Sequence, residues 1–357
     1  MYRNTKNVPY YVFGRGSLAQ LGDLLKPRRE AVDGPVVYFV DHFFRDHELI
    51  GRLPMEKGDQ LHFVDSSSEP EVTRIDAFKE AVSAADSRTP CCVVGIGGGN
   101  ALDTAKAVAN LLTNPGKAED YQGWELVKNP AVYKIGIPTL SGTGSECSRT
   151  CVLTNIPKNL KLGMNSDYTV YDQLLLDPDL LATVPRDQYF YTGIDTFMHC
   201  VESLQGSYRN AIIDAFSVRA VQKMMIASYI GGMAAGNVGV IHPFSAGLGV
   251  VLHVAHGLGN CLALNVLGDI YPKEYKQFRT MIERQGVNLP TGICKDLTEE
   301  QYEGLYRGCI VHESPSPMPS APTSSRSSPG KTSSNATRAS SGSAPGGLAP
   351  ARDHAAP

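Results

Sequence analysis

The sequence predicts an α/β N-terminal domain with a Rossmann-like parallel sheet, followed by an all-α C-terminal domain. Three observations point there: β-rich apolar runs alternate with helix-compatible sequence, the third run passes into a glycine-rich loop, and the β signal fades from about Pro185. The runs are VVYFVD (36–41), QLHFVD (60–65) and CCVVGIGGG (91–99), and a fourth, YKIGIPTL (133–140), ends in another turn-rich loop. Strands of this kind separated by helical segments argue for a parallel sheet covered on both faces. Beyond Pro185, DAFSVRAVQKMMIASYI (214–230) has helical spacing and length. The expected organisation is an α/β domain over 1–185, a helical domain over 186–313 and a Ser/Pro/Ala-rich tail over 314–357.

The 357 residues allow two domains, and 42% hydrophobic with 19% charged residues excludes a fully disordered chain. The tail differs: with Met318 and Leu348 as its larger apolar residues it cannot bury enough surface to offset its ordering entropy, so disorder is expected there. A net charge of -3 gives no field to gather phosphate backbones, so no nucleic-acid partner is expected. The 8 cysteines show neither a CxxC pair nor zinc-finger spacing and read as reduced thiols, and the opening MYRNTKNVPYYVFGRGS lacks an apolar stretch after its basic residues. A cytoplasmic location is expected. Residues 224–268 carry no formal charge, but their histidines and glycines fit buried helices better than a membrane span.

The strand-loop-helix VVGIGGGN-ALDTAKAVANLL lets Gly97, Gly98 and Gly99 bring backbone close to an anion at a helix N-terminus, a candidate pyrophosphate cradle including Asn100 and Asp103. It departs from strict G-x-G-x-x-G at Asn100, and the alternative is that Asn100 and Asp103 simply cap the helix. Asp41, ending the first run, is placed to accept hydrogen bonds from an adenosine ribose, which would favour NAD over NADP; a capping aspartate is the other reading. PTLSGTGSE (138–146) is a second donor-rich loop after a strand, with Thr139, Ser141 and Thr143 suited to phosphate or ribose.

GIDTFMHCVES (193–203) and VIHPFSAGLGVVLHVAHGLGN (240–260) carry the sharpest constellation. Asp195 and His199 are i,i+4 and share a helix face. His242 and His256 would lie about 21 Å apart on one straight helix, so one ion holds both only if the chain bends, and Pro243, Gly247 and Gly249 suggest where. One carboxylate and three imidazoles without a thiolate suit Fe²⁺ or Zn²⁺ with positions left open for substrate. Each histidine alone reads as structural; four donors in so uncharged a segment reverse that. His253 reads as structural and Cys200 as packing. The absence of HExxH and G-x-S-x-G argues against a hydrolase.

In order, GGGNALDTAK, PTLSGTGSE, GIDTFMHCVES and the pair His242 and His256 resemble the iron-containing alcohol dehydrogenase family over roughly residues 1–313. The resemblance implies a dehydroquinate synthase-like fold with a dinucleotide-binding domain, a helical domain and a metal in the cleft between them. It implies Asp195, His199, His242 and His256 as metal ligands, and Asp41, Gly97, Gly98, Gly99, Thr139, Ser141, Thr143 and Lys161 as NAD contacts. It implies oxidation of a primary alcohol to an aldehyde, with a small-molecule alcohol or sugar acid as partner and a homodimer as assembly. The opening segment and YIGGMAAGNVGVIHPFSAGLG look most like members acting on the C8 hydroxyl of 3-deoxy-D-manno-octulosonate in lipopolysaccharide biosynthesis; Arg149 reads as a surface arginine, with pairing to the sugar-acid carboxylate as the alternative. Small primary alcohols or diols are the alternative substrates.

Three departures from the family pattern stand out. Ala246 occupies a place where many members have a second histidine, and Asn100 replaces a common serine. The composition changes abruptly after His312-Glu313, where members usually continue with amphipathic helices. An aberrant end that truncates the helical domain is expected from this, and an inactive metal-binding remnant is the alternative of another class.

Overall fold

Val36–Asp41 is buried along almost its whole length, as a strand covered on both faces must be, and its side chains divide with period two. Val37 and Phe39 pack into one core, while Val36, Tyr38 and Val40 pack into another on the opposite face. The computed structural model describes residues 6–205 and 239–310, all within one compact unit.

In chain order the strands are β1 (Tyr10–Phe13), β2 (Val36–Asp41), β3 (Gln60–Val64), β4 (Cys92–Gly97), β5 (Gly123–Trp124), β6 (Lys134–Pro138), β7 (Thr150–Asn155), β8 (Leu160–Asn165) and β9 (Gln173–Leu176). The α-helices are α1 (Leu21–Ala31), α2 (Val72–Ala85), α3 (Gly99–Leu111), α4 (Arg186–Gln205), α5 (Ile241–Leu252), α6 (His256–Val266), α7 (Pro272–Gln285) and α8 (Glu299–Ile310). All four sequence-predicted strands are present, and the α/β-then-helical architecture is the one expected. The helix expected at 214–230 and the tail at 314–357 lie outside the described residues.

Six strands form one parallel sheet in the order β1-β9-β6-β4-β2-β3. From β2 the chain goes outward to β3 and then returns to β4 on the other side of β2. This reversal opens a crevice at the carboxyl ends of β2 and β4, the place where such sheets bind ligands. Asp41 and the Gly97–Gly99 loop therefore meet at one edge. The 3-stranded sheet β5-β8-β7 adds an antiparallel hairpin, turned at Asn159 in the left-handed region, and carries Lys161 on β8.

After β9 the described chain is helical apart from its connections. Ile194, Phe197, Met198 and Val201 of α4 share a core with Ile241, Cys261, Leu264, Phe278 and Ile282. α5 and α8 approach through small residues: a Cβ at Gly308 would lie 2.9 Å from the Cα of Gly247. Among the described residues no helix is long and apolar enough to cross a membrane. The 8 cysteines are all free thiols, most of them buried.

Candidate functional site

Asp195 is the hub of the site. Its Oδ1 lies 3.2 Å from His242 Nε2, 3.5 Å from His256 Nε2 and 3.9 Å from His199 Nε2. The helical spacing of Asp195 and His199 accounts for the last contact. His242 and His256 come together, their ring centroids 5.4 Å apart, because the chain breaks between α5 and α6. The break differs from the expected one. It falls at His253, whose φ of 54° ends α5, while Pro243 sits in the first turn where a helix tolerates proline. Gly247 and Gly249 lie inside α5, where Gly247 makes room for α8.

The donor set suits a metal ion. Donor atoms of Asp195, His199 and His242 lie within 4.8 Å of one another, and His256 reaches the same carboxylate oxygen. Asp195 Oδ2 is buried without a hydrogen-bond partner, an orphaned acceptor that a coordinated cation would satisfy. Burial alone would make Asp195 harder to ionise, but His199, His256 and the hydrogen bond with His242 hold its pKa well below the usual carboxylate range. Burial drives His199 down to about 4 and His256 down to about 3, so both imidazoles are neutral, as ligands must be. His242 behaves oppositely: burial would lower it, yet Glu202 and Asp195 raise it to about 10.

His199, His242 and His256 line a cleft of about 540 Å³ that extends to the sheet edge, past Lys161, Thr143, Gly98, Gly99 and Asn100 to Asp41. Gly97 has φ 151°, and a Cβ there would lie 2.6 Å from Ala101 Cβ and 2.9 Å from Asp41 Cβ, so the turn into α3 admits no side chain. Gly98 is the N-cap and provides no side chain, which leaves the first N–H groups of α3 for an anion. The capping alternative for Asn100 and Asp103 is thereby replaced. Asn100 Nδ2 donates to Ser68 O at 2.6 Å, tying the loop after β3 to α3. Asp103 accepts from Ser145 Oγ and, at 2.9 Å, from Val152 N. Asp41 does cap: its Oδ1 accepts from Phe43 N at 3.0 Å and Ser66 Oγ at 2.9 Å, while still facing the cleft.

Thr139 is buried, its N–H donating to Gly97 O at 3.0 Å, and Ser141 is buried with an unpartnered Oγ; neither lines the cleft wall. Lys161 does, its Nζ 3.1 Å from Glu69 Oε1. Arg149 is paired with Glu125 and Asp167 and is not part of the cleft wall, so the alternative role toward a sugar-acid carboxylate is not supported. His253 is exposed and lines the cleft, contrary to a purely structural reading. Cys200 is buried in α4, as packing predicts.

Four residues escaped the sequence reading: Glu69, Lys106, Glu202 and Asn260. Lys106 is fully buried, donating to Ser145 O at 2.7 Å and lying 3.1 Å from Asp103, and so it braces the donor-rich loop. Asn260 Nδ2 donates to Asp195 Oδ1 at 2.6 Å. Glu202 alone carried a signal, lying seven residues after Asp195 on one helix face. Truncating Asn100 to alanine is expected to cost about 1 kcal/mol, the worth of an ordinary hydrogen bond, in a urea titration.

Comparisons with known proteins bear on the chain and its fold. The family model "Iron-containing alcohol dehydrogenase" matches residues 9–178. A sulfoacetaldehyde reductase of Bilophila wadsworthia is 34% identical over 218 residues, covering 55% of this chain and 56% of that protein. The chain thus aligns with little more than half of that relative's length. An NAD-dependent methanol dehydrogenase of Bacillus methanolicus is 27% identical, covering 71% of each. Among solved structures, the sulfoacetaldehyde reductase of Bifidobacterium kashiwanohense in complex with NAD+ overlays with a TM-score of 0.72 at 23% identity, covering 87% of this chain and 92% of that one. The family model and these relatives thus agree in a similarity to alcohol dehydrogenases of the iron-containing type, and the solved structure shares the fold.

Proposed function

We propose that the chain is a metal-dependent, NAD-linked oxidoreductase interconverting a primary alcohol and its aldehyde. The observation that carries this is that three imidazoles in the wall of the cleft that reaches the crevice between β2 and β4 converge on the buried Asp195 behind them. Asp195, His199, His242 and His256 would hold Fe²⁺ or Zn²⁺, which when bound supplies Lewis-acid stabilisation of a substrate alkoxide. Gly97, Gly98, Gly99 and the start of α3 would hold the pyrophosphate of NAD, the hydride acceptor, with Thr143 and Lys161 toward its nicotinamide half. Asp41, oriented by Phe43 N and Ser66 Oγ, would take the adenosine ribose and repel a 2′-phosphate. Asp103 and Lys106 hold the second loop in place by their bonds to Ser145.

The finer reading of substrate is the C8 hydroxyl of 3-deoxy-D-manno-octulosonate, the reaction of 3-deoxy-D-manno-octulosonate 8-oxidase in lipopolysaccharide biosynthesis; the resemblance of the opening segment supports it. Small primary alcohols or diols are a second reading, favoured by the engagement of Arg149 with Glu125 and Asp167. After reconstitution with Fe²⁺ or Zn²⁺, the full chain is expected to form NADH from a primary alcohol. Comparing kcat/KM for the octulosonate, ethanol and propanediol, and for sulfoacetaldehyde with NADH, separates the substrates. Absence of turnover with all of them would overturn the proposal in favour of an inactive remnant.

A further inference from the structure

We infer that Glu202 is a positioning residue of the metal site: it holds the His242 imidazole with Nδ1–H turned outward, so that Nε2 is presented to the ion. This rests on the metal reading above. Glu202 lies seven residues after Asp195 and three after His199, so α4 places all three on one face. Its carboxylate is 1% exposed, and the two oxygens have different tasks. Oε1 accepts from Ile241 N at 2.8 Å, one of the N–H groups that open α5 without an intrahelical partner. Oε2 lies 2.5 Å from His242 Nδ1.

An ionised carboxylate only accepts, so the hydrogen of that contact sits on Nδ1. The other ring nitrogen, Nε2, is then the one facing Asp195. A ligand histidine held through its second nitrogen by a carboxylate is a recurrent way to fix tautomer and ring orientation together. The surroundings leave Glu202 little freedom. A Cβ at Gly239 would come within 2.9 Å of its Oε1, and the residue is boxed in by the turn that begins α5. His256 repeats the pattern more weakly, its Nδ1 3.3 Å from Ser245 Oγ while Nε2 faces Asp195. His199 Nδ1 has no such partner. The one carboxylate bonded to a ligand imidazole's outer nitrogen, among the described residues, is therefore that of Glu202.

The full-length Glu202→Gln variant tests this. The amide keeps an acceptor for Ile241 N, but its NH₂ group facing His242 turns Nδ1 into an acceptor and moves the ring proton to Nε2. Two readouts are used: Co²⁺ titration, in which a set without thiolate gives no sulfur charge-transfer band, and ¹⁵N-histidine NMR of the Zn²⁺-loaded protein. The expected result is a roughly 10–100-fold weaker Co²⁺ dissociation constant in Glu202→Gln, with a smaller loss in Glu202→Asp, which keeps the charge at shorter reach. His242 in the parent is expected to carry its proton on Nδ1. A residue that merely caps α5 would lower the melting temperature and leave tautomer and metal affinity unchanged, and that outcome overturns the inference. Should Glu202→Gln fail to fold, the Glu202→Asp variant carries the same comparison. A parent that binds no Co²⁺ sinks the metal reading as well; a parent that binds while both variants bind equally well sinks only the role of Glu202.

Discussion

Asp195→Asn is expected to abolish metal-supported turnover while leaving the chain folded. The three imidazoles do not contact one another through hydrogen bonds; they are organised by their common approach to one carboxylate oxygen. Asparagine preserves the volume but removes the charge, so a dication loses its one anionic donor from this set. The loss of Co²⁺ or Fe²⁺ affinity should exceed the roughly 10–100-fold produced by removing an outer-shell partner. Stability should fall less steeply than affinity. His242 keeps Glu202 as a counter-charge at 2.5 Å, so the cost should stay below the roughly 3–5 kcal/mol of orphaning a buried ion. Metal titration, a melting curve and NADH formation by the reconstituted variant check this together. An Asp195→Asn protein with undiminished turnover would place the reacting centre elsewhere.

Three of the four strands that read clearly from the sequence are buried on both faces by the fold; the fourth, β3, lies half-buried at the sheet edge and is legible from its β-rich composition. β2, β4 and β6 are largely apolar because both of their faces are covered, and such runs announce themselves without tertiary information. β1 did not announce itself: YYVF is four residues long and mostly exposed at the sheet edge, so nothing in its pattern separates it from a loop. β9 is equally short, and β7 with β8 form a hairpin whose TCVLTN and LKLGMN show only weak alternation. The candidate donors stood out because imidazoles and a carboxylate in a stretch so poor in charge need a reason to be there. The path joining them was not. Glycine and proline read as a break in α5, yet Gly247 serves the contact with α8, Pro243 is harmless in the first turn, and the left-handed residue is a histidine. Local rules cannot distinguish a glycine that bends its own helix from one that admits a neighbour. For the same reason Asn260 and Lys106 stayed hidden, since their partners lie 65 and 39 residues away.

Gly142→Ala is expected to destabilise the chain by about 3–5 kcal/mol, because it combines a strained backbone with an overlap that no rotamer relieves. Gly142 has φ +142°, and an added Cβ would lie 2.1 Å from Thr192 O and 2.4 Å from Thr192 C. Those are backbone atoms of α4 one turn before Asp195, so they cannot yield without moving the helix that carries Asp195 and His199. The contact is reinforced from the other side, where Thr196 Oγ1 donates to Gly142 O at 2.9 Å. This point is where the donor-rich loop after β6 is fastened to the helix that presents Asp195 and His199. Displacing it should weaken NAD and metal binding together, although the alanine touches neither. A melting temperature lower by roughly 10 °C is the expected reading, at about 2–4 °C per kcal/mol for a domain of this size. Gly51→Ala is the control, since a Cβ there meets nothing within 4 Å, and its stability should stay within about 0.5 kcal/mol of the parent. Equal melting temperatures for the two variants would mean that the loop and α4 are not locked at this contact, and cofactor and metal affinities should then vary independently.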